Sequence, residues 1–190
     1  MNITIKLFLI ITLITFSNVA SAFDGERNGF VLGLGIGYHK TDINGNFSEY
    51  PGISANESPA GFATSFRLGL GLSSQAIIYY INDINWYNED SEGDLTIVGI
   101  SGFGFSYYFS RTPGSLYLTT AFGAGVRNET SDSQAPVYSG VGYSFGIGYE
   151  FVKWVSLQFD YQSMSLKHQQ YNDITKDVKA MRLMLQTNFY

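Results

Sequence analysis

The chain has 190 residues and no cysteine, and 16% of its residues are aromatic whereas only 14% are charged. This composition excludes a disordered chain, disulfides, thiolate metal sites and cysteine catalysis. The excess of 16 acidic over 11 basic residues argues against nucleic acid as a partner, because nucleic acid requires a basic face.

Residues 1–22 have the layout of a secretory signal peptide. A lysine precedes an apolar run of ten residues at 7–16, and the sequence NVASA then ends in A-x-A spacing. This order predicts cleavage between Ala22 and Phe23, which leaves a mature domain over 23–190. A membrane-anchoring helix is the alternative, but it needs about 20 apolar residues and the run is half that length.

Eight segments of the mature chain alternate with a period of two, which predicts β-strands with two different faces. One face is bulky and apolar and the other is small or polar, as in GFVLGLGIGY over 29–38. The predicted strands span, in chain order, 30–38, 62–72, 76–87, 95–109, 116–126, 137–151, 155–166 and 178–190. Long or polar connections alternate with tight ones, and the longest is the predicted loop at 39–60.

The segment AIIYYINDINWY at 76–87 has the least regular alternation, because both of its faces begin with apolar residues. Two interpretations remain open for this segment. One is a β-bulge near Asn82, and the other is an inner face that is filled with Ile and Tyr.

The alternation predicts an inverted protein whose bulky face lies in lipid. Soluble β-proteins turn apolar side chains inward and polar ones to water, but the small faces of these strands hold too much glycine and too few charges for a soluble surface. With the bulky face in lipid, the glycine-rich face lines the narrow bore of a closed eight-stranded barrel. A soluble lipocalin-like barrel is the alternative, and it requires larger apolar residues inside and more lysine outside.

Aromatic residues near the predicted strand ends indicate the girdles that such barrels place at the membrane surface. The predicted girdle consists of Tyr38, Trp86, Tyr87, Tyr107, Tyr108, Phe109, Tyr149, Trp154, Phe189 and Tyr190. Aromatic residues are common in strands generally, so the set supports the prediction better than any single residue does.

The signal peptide, the eight strands and the ending MRLMLQTNFY together resemble the small outer-membrane β-barrels of Gram-negative bacteria, the OmpA/OmpX/opacity-like group of the porin superfamily. The resemblance implies an all-β, antiparallel up-and-down transmembrane barrel, surrounded by outer-membrane lipids and lipopolysaccharide. It also implies that the barrel assembly machinery reads a C-terminal aromatic residue. Phe189 lies in frame with the apolar residues before it and Tyr190 does not. The sequence therefore leaves open which of these two residues the machinery reads.

Six charged residues fall on the predicted lumen faces, three of each sign. Buried charges persist only when they are paired, so we expect a structural ion-pair network, with a gate or ion path as the functional alternative. The predicted network comprises Arg67, Asp83, Arg127, Glu150, Asp160 and Arg182. A tight turn centred near residue 75 predicts that Arg67 meets Asp83, and the last hairpin places Asp160 roughly diagonal to Arg182.

The sequence predicts no catalytic residue, no cofactor and no metal site. Some barrels of this size resemble lipid A-modifying enzymes that need a histidine and a serine two residues apart, but Gln170 stands where the serine would follow His168, and His39 is the only other histidine. No helix pattern follows GLGIG, so the dinucleotide fingerprint fails. NEDSEGD at 88–94 lacks the spacing of a calcium loop, and it reads as a solvated loop, with loose cation binding as the alternative.

The function that these features favour is that of a non-catalytic integral protein of the outer membrane. Its short turns would face the periplasm and its longer loops the outside. Such a barrel contributes to envelope integrity or presents surface loops to an extracellular or host ligand, with loop 39–60 as the predicted contact. A narrow channel for small or apolar solutes and a lipid A-modifying enzyme are the alternatives.

Overall fold

The computed structural model describes residues 27–47, 54–88, 95–129, 137–169 and 174–190. They form nine β-strands: β1 (Asn28–Phe47), β2 (Ser54–Glu57), β3 (Ala60–Ser73), β4 (Ala76–Asn88), β5 (Leu95–Tyr108), β6 (Ser115–Glu129), β7 (Tyr138–Val152), β8 (Val155–His168) and β9 (Ile174–Phe189). None of the described segments contains a helix long and apolar enough to cross a membrane. The predicted signal peptide at 1–22 lies outside the described residues.

The strands form one antiparallel sheet that closes on itself, because β1 pairs with β9 as well as with β3. Strand β2 continues the line of β3 beside β1, since the register that matches Lys40 with Ala60 also matches Ile43 with Glu57. The break between β2 and β3 contains Pro59, which has no N–H to donate to a ladder, although its carbonyl accepts from the Thr41 amide at 2.8 Å. Together β2 and β3 fill one strand position, so the barrel has eight, as predicted.

The connections divide the barrel into two ends. Short connections at 74–75, 109–114 and 153–154 lie at one end, here called the turn end, and residue 190 lies there too. The opposite end, here called the loop end, contains the strand ends at Phe47, Asn88, Glu129 and His168. Residues 48–53, 89–94, 130–136 and 170–173 lie outside the described residues.

The prediction of a loop over 39–60 is wrong for most of that range. Strand β1 runs on to Phe47 and β2 covers Ser54–Glu57. The polar composition that indicated a loop is compatible with strand here because β1 is paired on both edges, with β9 as far as Phe47 on one side and with β3 and β2 on the other. Backbone pairing therefore overrides the side-chain pattern in this segment.

The two faces of the wall have the orientation that the alternation predicts. The outer surface exposes large apolar side chains, with Phe103 79% and Ile36 65% accessible, whereas Arg67, Asp83 and Arg182 on the inner face are at most 2% accessible. A soluble barrel has the opposite arrangement. The lipocalin-like alternative is therefore contradicted.

Strand β4 follows the second of the two interpretations of the segment 76–87. Its inner face carries Ile77, Tyr79 and Ile81, all buried, and its ladders to β3 and β5 continue without a shift at Asn82. The irregularity in the β3–β4 ladder lies instead between Gly71 and Ser73. The inner face is thus filled with Ile and Tyr, and the predicted bulge at Asn82 is absent.

Buried side chains fill the described lumen in three layers. An apolar cluster near the turn end contains Val31, Ile77, Tyr79, Ile81, Tyr108, Tyr117, Ala121 and Tyr190. A second apolar cluster near the loop end contains Ile43, Tyr87, Val98, Ile100, Tyr138, Met164, Leu166 and Val178. A polar layer that includes the buried side chains of Asp83, Asp160 and Arg182 lies between the two clusters.

The inner glycines accommodate long side chains from neighbouring strands. A Cβ atom on Gly35 would collide with the amide of Gln186, and one on Gly148 would collide with the ring of Tyr117. Each glycine pairs with a residue on a strand beside it, Gly35 with Gln186 in β9 and Gly148 with Tyr117 in β6. Glycine is required at these positions because a large side chain lies flat against the bare backbone.

Candidate functional site

Arg182 is the centre of the polar layer. It lies on β9 directly opposite Asp160 of β8, and its Nε and Nη2 atoms donate to the two Asp160 oxygens at 2.7 and 3.2 Å. Nη2 also reaches across the lumen to Asp83 Oδ2 at 2.5 Å. One guanidinium therefore neutralises two carboxylates, and all three side chains are buried.

Side-chain amides connect this ion triad to the rest of the polar layer. Gln158 donates to Asp160 Oδ2 at 2.8 Å and Gln162 donates to Asp83 Oδ2 at 3.2 Å. Asn85 in turn donates to Gln162 Oε1 at 3.0 Å. Such connected bonds strengthen one another in a low-dielectric interior.

The prediction that Arg67 pairs with Asp83 is wrong. Arg67 lies opposite Ile81 because the β3–β4 ladder shifts between Gly71 and Ser73. Its Nη2 donates instead to Gln158 Oε1 at 2.9 Å, and its guanidinium lies 5.0 Å from the Tyr79 ring centroid. The turn geometry moves Asp83 out of the position that simple register counting assigns to it.

Arg27, which sequence reasoning missed, closes the turn end. Its side chain is 2% accessible, pairs with Glu150 and donates to the carbonyl oxygens of Ser74 and Ser110 at 3.1 and 2.8 Å. Its guanidinium lies 3.9 Å from the ring centroid of Tyr108. The signal in the sequence is Glu150, an inward-facing acid close to a predicted tight connection, which needs a buried cation at that end of the barrel.

At the loop end, Arg127 extends over the second apolar cluster. Its Nε donates to the Tyr87 hydroxyl at 3.1 Å, and its Nη2 lies 3.8 Å from Glu57 Oε2. The Lys176 ammonium lies 4.9 Å from the Tyr138 ring centroid, and Arg127 lies 5.7 Å from the same ring. The six charged residues of the predicted network thus occupy three separate levels of the lumen.

Three residues of the predicted aromatic girdle point into the barrel. Tyr87, Tyr108 and Tyr190 are 3%, 2% and 1% accessible, so their assignment to the outer girdle is wrong. Their sequence positions share the phase of the inner residues: Tyr190, for example, is in frame with Arg182. A buried tyrosine needs a partner for its hydroxyl. The Tyr190 hydroxyl donates to Glu150, and the Tyr87 hydroxyl accepts from Arg127.

The other seven girdle residues lie on the outer face or at its edge. Tyr38, Tyr107, Phe109 and Tyr149 are exposed. Trp86 is half-buried, stacks on Phe62 with a centroid distance of 5.5 Å and donates to Thr64 Oγ1 at 2.9 Å. At the turn end, Trp154 packs against Phe189 with a centroid distance of 5.8 Å.

The histidines are held by structural contacts. In His39, Nδ1 lies 2.8 Å from Thr41 Oγ1 and Nε2 lies 3.1 Å from the Trp86 carbonyl oxygen, so Nε2 donates to that carbonyl and Nδ1 accepts from the hydroxyl. His168 packs edge-on against Tyr138 at a centroid distance of 5.1 Å. No group of three metal-ligating side chains occurs among the residues that the structure describes.

Gln186 is the least satisfied residue of the polar layer, since both of its amide atoms are buried without a hydrogen-bond partner. We expect Gln186→Met to raise the free energy of unfolding by about 1–2 kcal/mol, because an unpaired buried amide is removed without changing length. Denaturant titration of the detergent-solubilised barrel measures this change. Gln158→Met is the matched control and should destabilise, because Gln158 contacts Arg67, Tyr117 and Asp160; a destabilised Gln186→Met would contradict the expectation.

Comparison with known proteins places the fold. No family model matches the chain, and no curated protein matches its sequence. The outer membrane protein OprG from Pseudomonas aeruginosa is similar in structure, with a TM-score of 0.50 and 10% identity over 87% of this chain and 98% of that one. Neisserial surface protein A has a TM-score of 0.50 and 12% identity over 81% and 96%. Ail of Yersinia pestis has a TM-score of 0.49 and 13% identity over 84% and 99%.

Proposed function

We propose that this chain, which has the fold of small eight-stranded outer-membrane barrels, is a non-catalytic integral protein of the outer membrane. In this proposal the signal peptide at 1–22 is cleaved, and the mature domain over 23–190 is inserted by the barrel assembly machinery. The observation that carries the proposal is the inverted wall, apolar outside and charged inside. The shared fold with an outer-membrane protein and a surface protein supports it.

The closed sheet supports residence in lipid. Strand β1 and strands β3 to β9 each have a neighbour on both sides, including the β1–β9 seam, so these strands present no row of unpaired backbone groups to hydrocarbon. The outward aromatic residues described above would form the girdles at the two membrane surfaces. Outer-membrane lipids and lipopolysaccharide are then the immediate partners of the outer wall.

The packed lumen favours a structural or surface role over transport. Two apolar clusters and the Arg182 triad occupy the described interior from end to end, as expected for a barrel of eight strands. The strands β1 and β2 extend the wall beyond the apolar band at the loop end. We place any contact with an extracellular or host ligand on this hairpin, in place of the loop predicted at 39–60.

Cell fractionation tests the proposal. The full chain, expressed in a Gram-negative host, should be found in the outer-membrane fraction, require detergent for extraction and lack residues 1–22. Unheated protein should migrate differently from boiled protein in gel electrophoresis, because a closed ladder resists detergent until heated. Recovery as a detergent-free soluble protein of the periplasm would contradict the proposal.

A further inference from the structure

The outward-facing lysines of the described strands all lie on one side of the barrel. They are Lys40 of β1, Lys167 of β8 and Lys179 of β9, and each is exposed. These three strands are consecutive around the wall. At the same level of the other strands the outward residues are neutral, namely Asn88, Leu95, Asn128 and Ser139. Positive charge is therefore confined to one face of the loop end.

The register brings two of these lysines close together. Lys40 lies opposite Met181 and Lys179 lies opposite Asp42, so the two lysines are diagonal neighbours across the β1–β9 seam, about 7–8 Å apart. Ser163 lies opposite Lys179 on the other side and presents a hydroxyl beside it. Lys167 is four residues further along β8, about 13 Å toward the loop end.

The patch sits directly above the apolar band. Below Lys40 and Lys179 the next outward residue toward the turn end is apolar or aromatic, namely Tyr38 and Met181. On β8 the outward residues Ser163 and Ser165 separate Lys167 from Tyr161. Side chains at this level of a membrane-embedded barrel lie among lipid headgroups. The ammonium groups of Lys40 and Lys179 are therefore placed at the membrane surface, and Lys167 lies further toward the loop end.

The ammonium groups are available to a ligand. Within the described chain, none of the three forms a hydrogen bond or an ion pair. The face also carries two carboxylates, Asp42 and Asp177. Asp42 accepts a hydrogen bond from Ser58 Oγ at 2.7 Å and does not pair with Lys179.

We propose that this patch binds the phosphate groups of a phosphorylated glycolipid in the surrounding leaflet, with Lys40 and Lys179 on one phosphate and Lys167 near a second. The inference rests on the proposed function, since it needs the outer wall to lie in a membrane. A lipid is the ligand, and not a free anion, because the patch borders the apolar band that acyl chains cover. Each lysine at an anionic lipid surface adds measurably to binding.

The test uses fluorescent phosphorylated lipid A titrated into the full mature barrel in phosphatidylcholine nanodiscs. Lys40→Gln with Lys179→Gln should weaken binding about 30-fold. The matched control is Arg111→Gln with Lys153→Gln, which removes two positive charges at the turn end and should leave the affinity unchanged. Dephosphorylated lipid A should bind the wild type at least as weakly as the double variant binds the phosphorylated form, because the double variant keeps Lys167.

Three results would overturn the proposal: unchanged affinity in the Lys40 and Lys179 variant, an equal loss in the control, or competition by millimolar inorganic phosphate that displaces the lipid completely. The single variants Lys40→Gln and Lys179→Gln, each expected to lose part of the affinity, guard against a folding defect in the double variant. A barrel that fails to enter nanodiscs at all would refute the proposed function instead. The heat-dependent shift in gel electrophoresis shows whether the barrel is folded in the nanodiscs before any lipid A is added.

Discussion

Replacement of Arg182 by methionine should destabilise the barrel by about 3–5 kcal/mol or more, because it leaves two carboxylates buried in the lumen without their cation. Asp83 and Asp160 are each 2% accessible and both depend on this guanidinium. The hydrogen bonds from Gln158 and Gln162 remain in the variant but supply no opposite charge. The unfolding midpoint in denaturant, followed by the gel shift of the folded barrel, measures the loss.

Companion variants separate the charge imbalance from a simple loss of packing. Arg182→Met combined with Asp83→Asn and Asp160→Asn should recover most of the lost stability, since the amides are neutral and similar in size. The three changes would then be strongly non-additive, as expected for residues in one network. If the triple variant is as unstable as the sum of its parts, the triad does not act as a unit.

Replacement of Arg27 by alanine should cost about 3–5 kcal/mol, because Glu150 would lose its buried partner. The same change removes donors to the carbonyl oxygens of Ser74 and Ser110, which belong to two different turns, and the stacking on Tyr108. Arg27 thus connects the segment before β1 to the turns at 74–75 and 109–114. We expect a lower unfolding midpoint together with earlier proteolysis at the turn end.

The control for Arg27 is another arginine at the same end of the barrel. Arg111 is exposed, and Arg111→Ala should change stability by no more than about 0.5 kcal/mol. Adding Glu150→Gln to Arg27→Ala should restore part of the loss, because the Tyr190 hydroxyl still has an oxygen to donate to. Equal stabilities for the two alanine variants would rule out the closing role of Arg27.

Prediction from the sequence was reliable for features that depend on a single strand, such as the face on which a side chain lies. A period of two assigns each side chain to one face, so the bulky residues of β1 and β7 face outward and their glycines inward, as predicted. The same rule, applied strictly, also places Tyr87, Tyr108 and Tyr190 inside. Their assignment to the girdle rested on their aromatic character alone, whereas their position in the alternation places them on the inner face.

Prediction failed where two strands had to be aligned. Arg67 lies opposite Ile81, and not opposite Asp83, because the β3–β4 ladder shifts between Gly71 and Ser73. The contacts of Arg67 with Gln158 and of Asp83 with Arg182 cross the lumen, so no register between neighbouring strands predicts them. Asp160 and Arg182 were predicted to be roughly diagonal across the last hairpin, and they lie directly opposite each other in the structure. Arg27 was missed because it precedes the first strand and no periodic pattern includes it.

The sequence by itself therefore determined the class of the fold, the number of strand positions and which face of each strand points outward, because these follow from side-chain alternation within single strands. Only the tertiary structure decided which charges pair, how far β1 and β2 extend, and that three lysines from β1, β8 and β9 meet on one outer face. Those features depend on closure of the barrel through the β1–β9 seam. Closure joins residues from opposite ends of the chain, and their register is set by turns and bulges that side-chain periodicity does not encode.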